Sequence, residues 1–223
     1  MRAAVQFANV SGLPSLSMRK LAQQLGVEAM SLYNHVANKD DLLDGMVDIV
    51  VSEVDIPVVE PGDDPGDDPG PGAKIGGDWK AAMRERAISA HQVLLRHPWA
   101  TMLIVSRVNV GPAMLRYVDA TLGCLRQAGF SYQLADQAWN AMDSHIYGFT
   151  LQELNFPFDP SEYAEVARSY LPQLPADDYP YLYELTTLVS EGQHQGSQDF
   201  EFGLDLLLDG LDRLLARHRV GPD

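Results

Sequence analysis

Apolar residues recur at intervals of three and four positions along most of the chain, and this spacing is typical of amphipathic α-helices. In the segment 112–127, for example, Met114, Tyr117 and Val118 fall on one face, and Gly129 follows as a stop signal. The same spacing predicts further helices over 79–96, 131–154, 161–171, 180–191 and 197–218. No stretch alternates cleanly between apolar and polar residues, so the predicted fold class is all-α.

Three short helices are predicted at the start of the chain. The first ends before Gly12, the second runs from Ser17 to Gly26, and the third covers 28–36. The second and third helices share an expected core, built from Met18, Leu21, Ala22, Leu25, Leu32 and Val36. Two helices joined by so tight a turn form a helix-turn-helix.

The third helix presents small and polar side chains on its outward face. A helix that reads DNA needs such a face, because small or hydrogen-bonding side chains must approach the base edges. The residues on it are Ala29, Met30, Ser31, Tyr33, Asn34 and His35.

An abrupt change of composition divides the chain after this region. The segment 60–72 repeats Asp-Asp-Pro-Gly and holds no Lys or Arg. Proline removes backbone donors, glycine adds chain entropy and the acids repel one another, so neither helix nor strand is expected. We therefore predict a head (residues 1–54, with a fourth, connecting helix), a flexible acidic linker (55–77) and a body for ligand binding and dimerisation (78–223).

The last predicted helix, 197–218, is apolar on more than one face. Its main stripe consists of Phe200, Leu204, Leu207, Leu208, Leu211, Leu214 and Leu215. Phe202 and Leu206 lie off this stripe, so we expect one face to meet the body and another to meet a second subunit. A wholly internal helix is the alternative, although four aspartates argue against burial on all sides.

The charge distribution changes what the net charge implies. The 223 residues carry a formal net charge of −15, which alone argues against a nucleic-acid partner. Residues 1–39, however, contain four basic side chains and the single acid Glu28, a net charge of +3, which leaves −18 for the remainder. This asymmetry fits a small DNA-facing head on an acidic body.

Other classes of protein are excluded by what the sequence lacks. No run approaches the roughly 18 apolar residues of a membrane span and no secretory signal is evident, so we expect a cytoplasmic protein. Cys124 is the only cysteine, which excludes an internal disulfide. Glu191 and His194 have the spacing of a di-iron pair, but a di-iron bundle needs two such pairs. Because no other catalytic motif is present, an enzyme is not expected.

The segment 17–43, SMRKLAQQLGVEAMSLYNHVANKDDLL, resembles the DNA-binding domain of the TetR family of bacterial regulators. An aromatic residue, a histidine and a lysine stand at Tyr33, His35 and Lys39, as in that family. The similarity continues in LRQAGFS at 125–131 and FGLDLLLDGL at 202–211, which look like the body of the tetracycline-repressor subgroup.

The resemblance implies two kinds of DNA contact. Arg19, Tyr33, His35 and Lys39 would contact phosphates, while Ala29, Met30, Ser31 and Asn34 would approach the base edges. Among these four, Asn34 alone has the two-pronged hydrogen-bonding geometry that distinguishes a base. The first helix has only about nine residues before Asn9, shorter than is usual in the family.

The resemblance also implies a homodimer joined through 131–154 and 197–218, in which a ligand in the body changes the separation of the two heads. Tetracycline recognition is not implied. The tetracycline repressor has a histidine at each of two places where this chain has Asp55 and the histidine-free turn 108–112. We therefore expect no metal and no cofactor. Candidate ligand contacts are the Met, aromatic and His side chains of the body: Trp99, Met102, Met114, Tyr117, Trp139, Met142, His145 and Phe149. For His145, packing in the core or at the subunit interface is an equal alternative.

These observations predict a ligand-responsive regulator. We expect a repressor that binds a palindromic operator in double-stranded DNA as a homodimer and is released by a small, largely apolar effector. Because the first helix is short, the alternative is a helical ligand-binding dimer with a weakened or inactive head.

Overall fold

The computed structural model describes residues 1–58, 78–194 and 199–220, and the predicted all-α class is confirmed there. The helices are α1 (Arg2–Ser11), α2 (Met18–Leu25), α3 (Ala29–Leu32), α4 (Lys39–Val51), α5 (Trp79–Arg96), α6 (Ala100–Ser106), α7 (Pro112–Gln127), α8 (Tyr132–Leu154), α9 (Tyr163–Tyr170), α10 (Pro180–Ser190) and α11 (Phe200–Val220). Short 3-10 turns cover Leu13–Ser15, Pro160–Glu162 and Leu171–Gln173. Most of the predicted acidic linker, residues 59–77, lies outside the described residues. None of the described helices is long and apolar enough to cross a membrane.

The chain forms two compact units. The first consists of residues 1–151 together with 201–223, and the second of residues 152–200. In the second unit, α9 and α10 pack against each other, and the ring of Phe156 contacts those of Phe158 and Tyr163.

The first unit has a continuous apolar core to which the head and the body both contribute. Helix α4 buries Met46, Val47 and Val50 completely, because its apolar residues recur at three- and four-residue spacing. Val47 and Val51 of this helix form one buried cluster with Ala113, Met114 and Tyr117 of α7. Helix α4 is therefore an integral part of this core as well as the end of the head.

The caps explain why most of the predicted helix ends are correct. α5 and α7 begin and end at the predicted residues. α8 begins after Ser131, whose hydroxyl accepts a hydrogen bond from the backbone N–H of Leu134 at 3.2 Å, as an N-cap does.

Two predictions about the head are wrong. The third helix was expected over 28–36, but α3 is only four residues long. The side chain of Asn38 caps α4 by accepting from the N–H of Asp41, and Asp41 in turn accepts from the N–H of Ala37, so the chain must turn before residue 37. The second concerns Leu25, which was expected in the core of the head but is 46% exposed.

The main stripe of α11 is buried, with two exceptions. Phe200, Leu204, Leu208, Leu211 and Leu215 are buried, whereas Leu207 is half-buried and Leu214 is 41% exposed. On the second face, Phe202 and Leu206 are 65% and 59% exposed, so this helix is not wholly internal in the single chain.

Candidate nucleic-acid interface and interior cavity

The helix-turn-helix is set by two local signals. Ser17 caps α2 by accepting a hydrogen bond from the N–H of Lys20 at 3.2 Å. Gly26 ends α2 with φ 68° and ψ 30°, a left-handed conformation that glycine adopts without strain, and its N–H returns to Ala22 and Gln23. The chain is thereby redirected into α3 within three residues.

The predicted DNA contacts lie on the first turn of α2, on α3 with its following turn, and on the first residue of α4. Met30 is 74% exposed and Tyr33 is 45% exposed. The side chains of Arg19, Asn34, His35 and Lys39 are exposed, and those of Ala29 and Ser31 are half-buried. The Ser31 hydroxyl donates to the backbone oxygen of Glu28 at 2.7 Å, which leaves its oxygen as an acceptor. We call these eight residues the reading surface.

Acidic residues follow the reading surface directly, and an arginine of the body pairs with two of them. The Arg107 guanidinium donates to Asp44 at 2.9 Å and to Asp40 at 3.0 Å. These pairs offset negative charge next to Lys39. Sequence reasoning missed Arg107, because the partners are more than 60 residues apart.

Helix α4 is also fastened to the start of α7. The Asp48 carboxylate accepts hydrogen bonds from the N–H groups of Ala113 at 2.8 Å and Met114 at 3.1 Å. α7 begins at Gly111-Pro112 and has no capping side chain of its own, so Asp48 satisfies N–H groups that would otherwise lack partners. The sequence signal for this contact is a predicted helix that starts without Ser, Thr, Asp or Asn.

A third junction joins the end of α5 to the head. The buried ring of His97 lies between Asn9 of α1 and Glu53, two residues after α4, with nitrogen–oxygen distances of 3.0 and 3.1 Å. Trp99, predicted as a ligand contact, donates from its indole N–H to Asn9 Oδ1 at 2.7 Å.

A narrow apolar cavity lies where α4 meets the body. It has room for about one water molecule. Its walls are Val50, Val51 and Val54 from α4 and the residues after it, Ala90, Val93 and Leu94 from α5, and Ile104, Met114, Tyr117 and Tyr147. Met114 and Tyr117 are the two predicted ligand contacts that line it.

The other predicted ligand contacts lie elsewhere. Met102 is 55% exposed, and Met142 is fully buried in the core. The His145 ring contacts the Phe149 ring at a tilt of 55° and packs against Gly203 of α11, where a Cβ atom would lie 2.5 Å from its Cε1. This position fits the alternative for His145, a histidine packed between helices.

A buried polar cluster adjoins the cavity, and its hub is an ion pair that the sequence reasoning missed. Arg86 Nη2 donates to Asp143 Oδ1 at 2.9 Å, and the Arg86 side chain is fully buried. Three more donors converge on the same carboxylate: Tyr117 Oη at 3.1 Å, Trp139 Nε1 at 2.8 Å and Tyr147 Oη at 3.1 Å. The sequence did contain an indication of this pair, because Arg86 and Asp143 lie on the buried faces of the predicted helices.

Ionisation in this cluster is governed by burial. Burial raises the pKa of the Tyr117 and Tyr147 hydroxyls, and the Asp143 carboxylate reinforces the rise against the opposing Arg86 charge. Burial also raises the pKa of the neighbouring Cys124 thiol to about 11. Around neutral pH these groups are therefore uncharged and the two tyrosines remain hydrogen-bond donors, while Arg86 and Asp143 compensate each other.

The described residues hold no cluster of His, Cys, Asp and Glu side chains that could bind a metal ion. α10 ends at Ser190, so Glu191 and His194 do not share a helix turn in the way a di-iron pair requires.

Comparison with known proteins extends over nearly the whole chain. The family described as "Tetracyclin repressor-like, C-terminal domain" matches residues 71–215. The chain is 31% identical to the HTH-type transcriptional repressor DrrR1 of Streptomyces coeruleorubidus, over 98% of this chain and 78% of that protein. It is 30% identical to the Escherichia coli tetracycline repressor protein class A from transposon 1721, over 100% of this chain and 94% of that protein. The crystal structure of the Streptomyces coelicolor TetR family protein ActR in complex with actinorhodin matches with a TM-score of 0.73 and 28% identity, over 99% of this chain and 96% of that one.

Proposed function

Because this chain belongs to the TetR family of transcriptional regulators, which are not enzymes, we propose that it is a repressor that binds a palindromic operator as a homodimer and releases it when a small molecule enters the body. The two domains would be the head (1–54) and the body (78–223), joined by the acidic linker (55–77). On the reading surface, the phosphates would be contacted by Arg19, Tyr33, His35 and Lys39. The base edges would be approached by Ala29, Met30, Ser31 and Asn34.

One observation carries this proposal: α4 belongs to both sites. Its first residue, Lys39, is part of the reading surface, and Val50 and Val51 near its other end form a wall of the cavity. A molecule larger than the cavity requires its walls to move apart, and outward movement of the α4 wall would tilt α4. Two heads on a dimer match successive half-sites about 34 to 36 Å apart, and a small relative movement destroys that match. An effector that favours the mismatched arrangement then releases the DNA.

We infer that the effector is uncharged and largely apolar, with one hydroxyl that donates to the Tyr147 oxygen, because the proton of Tyr147 is already donated to Asp143. The cavity walls are aliphatic apart from the two tyrosines, and the nearest charges, Arg86 and Asp143, neutralise each other. A net charge brought into such a site would lose its hydration without gaining a counter-charge. The crystallised complex of the related ActR protein with actinorhodin supports a ligand-binding body in general.

The effector class is tested with three probes of similar shape: 2-naphthol, naphthalene and 2-naphthoate. We expect 2-naphthol to quench protein fluorescence at concentrations at least about tenfold lower than 2-naphthoate, because the anion must be desolvated. Tyr147→Phe should reduce 2-naphthol binding to the level of naphthalene and leave naphthalene unaffected. Preferential binding of 2-naphthoate would contradict an uncharged effector.

The homodimer would form through α8 and α11. The exposed Phe202 and Leu206 on the second face of α11 support this, because a contiguous apolar face on a single chain is typical of an interface. In this arrangement two reading surfaces face successive turns of the operator.

The decisive experiment is fluorescence anisotropy on DNA from immediately upstream of the protein's own gene. We expect specific binding that weakens steeply with salt and is lost in the Tyr33→Ala, Lys39→Ala double variant. An Arg116→Gln variant, changed at an exposed position of α7, is the control and should bind normally. If the protein binds the probes above but shows specificity for no DNA fragment, the dimer with an inactive head is the better interpretation.

A further inference from the structure

His97 occupies an unusual position at the junction of the head and the body. It directly follows α5, and its side chain is only 8% exposed. Both ring nitrogens face oxygen atoms of the head: Nδ1 lies 3.0 Å from Asn9 Oδ1, and Nε2 lies 3.1 Å from Glu53 Oε2. One imidazole thus touches α1 and the segment after α4 at once.

The neighbour Trp99 determines which atom of Asn9 faces the histidine. An indole N–H can only donate, and Trp99 Nε1 lies 2.7 Å from the same Asn9 atom, so that atom must be the amide oxygen. An amide oxygen has two lone pairs and can accept from Trp99 and His97 together. His97 Nδ1 must therefore donate.

The other ring nitrogen of His97, Nε2, must also donate. Glu53 presents a carboxylate oxygen, which accepts hydrogen bonds and does not donate. In either neutral tautomer one ring nitrogen is an unprotonated acceptor, and here it would point its lone pair at an oxygen. Only the imidazolium, which carries a proton on both nitrogens, satisfies both contacts.

We propose that His97 is held as an imidazolium between Asn9 and Glu53, and that this charged ring is a pH-sensitive clasp between the head and the body. The groups that face it are the Asn9 amide from α1, the Glu53 carboxylate from the end of α4 and the Trp99 ring at 6.2 Å. Arg96 of α5 shares the Glu53 carboxylate at 3.4 Å, so it competes for the same negative charge. As pH rises, the ring loses one proton, one of the two contacts becomes repulsive, and the clasp opens.

Opening of the clasp would alter operator binding. A head that is no longer fastened to α5 samples more orientations, and DNA binding must then select the correct one. We expect the affinity for DNA to fall as pH rises through the range in which imidazoles titrate. None of the clasp residues lines the cavity, so the pH dependence should also be present when no effector is bound.

The protonation state is tested directly by NMR on the full-length, ¹⁵N-labelled protein, with His97→Gln to assign the signals. At about pH 6, where the proposed clasp is closed, both ring nitrogens of His97 should carry protons. Asn9→Leu, a change at an exposed position, should convert the ring to a neutral tautomer, whereas Asn9→Asp should preserve the doubly protonated form. A singly protonated His97 in the folded wild-type protein overturns the proposal.

The regulatory consequence is tested by operator affinity measured from pH 6 to pH 8. The wild-type affinity should fall about three- to tenfold over this range, as expected for a single histidine link, and His97→Gln should abolish most of the dependence. His194→Gln is the matched control, because His194 is an exposed histidine that belongs neither to the reading surface nor to the clasp; it should retain the dependence. Identical pH profiles for the wild type and His97→Gln would overturn the regulatory role. Absence of DNA binding would count against the proposed repressor function, while the NMR result would still decide the state of His97.

Discussion

Asp48 of α4 and Gly111, which precedes α7, approach so closely that a Cβ atom on residue 111 would lie 2.3 Å from Asp48 Oδ1. The same oxygen accepts from two N–H groups at the start of α7. Glycine is therefore required at position 111 by proximity rather than by backbone conformation. This contact fixes the middle of α4 to the body.

Loss of this contact should destabilise the protein moderately. Asp48→Ala leaves two N–H groups of α7 without their cap, and we expect a cost of about 1 to 2 kcal/mol in the free energy of unfolding, as for other capping residues. Urea denaturation measures it. Asp119→Ala, at an exposed position in the middle of α7, should leave the midpoint nearly unchanged. Equal effects of the two variants would show that Asp48 contributes no cap.

The buried ion pair should behave differently from the exposed ones. Asp143→Ala leaves the fully buried Arg86 without its counter-charge, and we expect a loss of about 3 to 5 kcal/mol or failure to fold. Replacing both residues, with Arg86→Met and Asp143→Leu, should recover much of the stability. The control is Asp205→Ala, which removes one exposed partner of Arg84 on the same helix and should have little effect. A double variant no more stable than Asp143→Ala would contradict this account.

High pH should destabilise the protein partly through Cys124. Burial raises the pKa of this thiol from 9.0 to about 11, despite the opposing charge of Arg86. The native state therefore holds the proton more tightly than the unfolded chain, so this contribution is intact below about pH 9 and is lost as pH rises towards 11. The denaturation midpoint should fall more steeply over that range for the wild type than for Cys124→Ala. Parallel curves would show that the thiol plays no part; Tyr117 and Tyr147 affect both proteins alike.

Different residues of the reading surface should determine DNA affinity and sequence specificity. Asn34→Ala should cost about 1 to 3 kcal/mol of discrimination at one base pair, because it removes a bidentate contact. Lys39→Gln should weaken binding to all sequences similarly and reduce the slope of log affinity against log salt by about 1. Anisotropy titrations on singly substituted operators measure both effects. If Asn34→Ala weakens every operator variant equally, Asn34 contacts the backbone rather than a base.

The second face of α11 should determine the oligomeric state. Leu206→Asp places a charge at the centre of the proposed subunit interface, and we expect the dimer dissociation constant to rise at least about 100-fold. Sedimentation velocity measures it. Leu115→Asp changes an equally exposed leucine of α7 and should leave the dimer intact. Dissociation by both variants, or by neither, would place the interface elsewhere.

Helix ends depend on neighbouring residues and could be predicted from the sequence, whereas the sites depend on contacts between residues that are far apart in the chain. The Gly-Pro start of α7 and the His-Pro after α5 mark helix ends, and both were predicted correctly. α3 was predicted too long, because the reciprocal cap between Asn38 and Asp41 is a contact of side chains that periodicity does not reveal. α6 was missed because its seven residues are too few to establish a period.

In the candidate sites, the exposed side chains could be predicted from the sequence, but the partners of the buried ones could not. Exposure of Met30 and Tyr33 follows from the helical pattern alone. The partners of Arg86, Asp48 and His97 lie between 31 and 88 residues away in the chain, so only the folded structure brings them together. A charge on an apolar stripe, as at Arg86, signals that a partner exists but not which residue it is.

The layout of α4 has a consequence for engineering and for divergence within the family. Residues that face the cavity, Val50 and Val51, are separated along this helix from Lys39 on the reading surface, with the Asp48 anchor between them. Variation in the last turn of α4 would therefore alter which molecule is sensed while keeping the same operator, and variation before the helix would do the reverse. A substitution at Asp48 offers no such independence, because it loosens an attachment of α4 to the body that lies between the two sites.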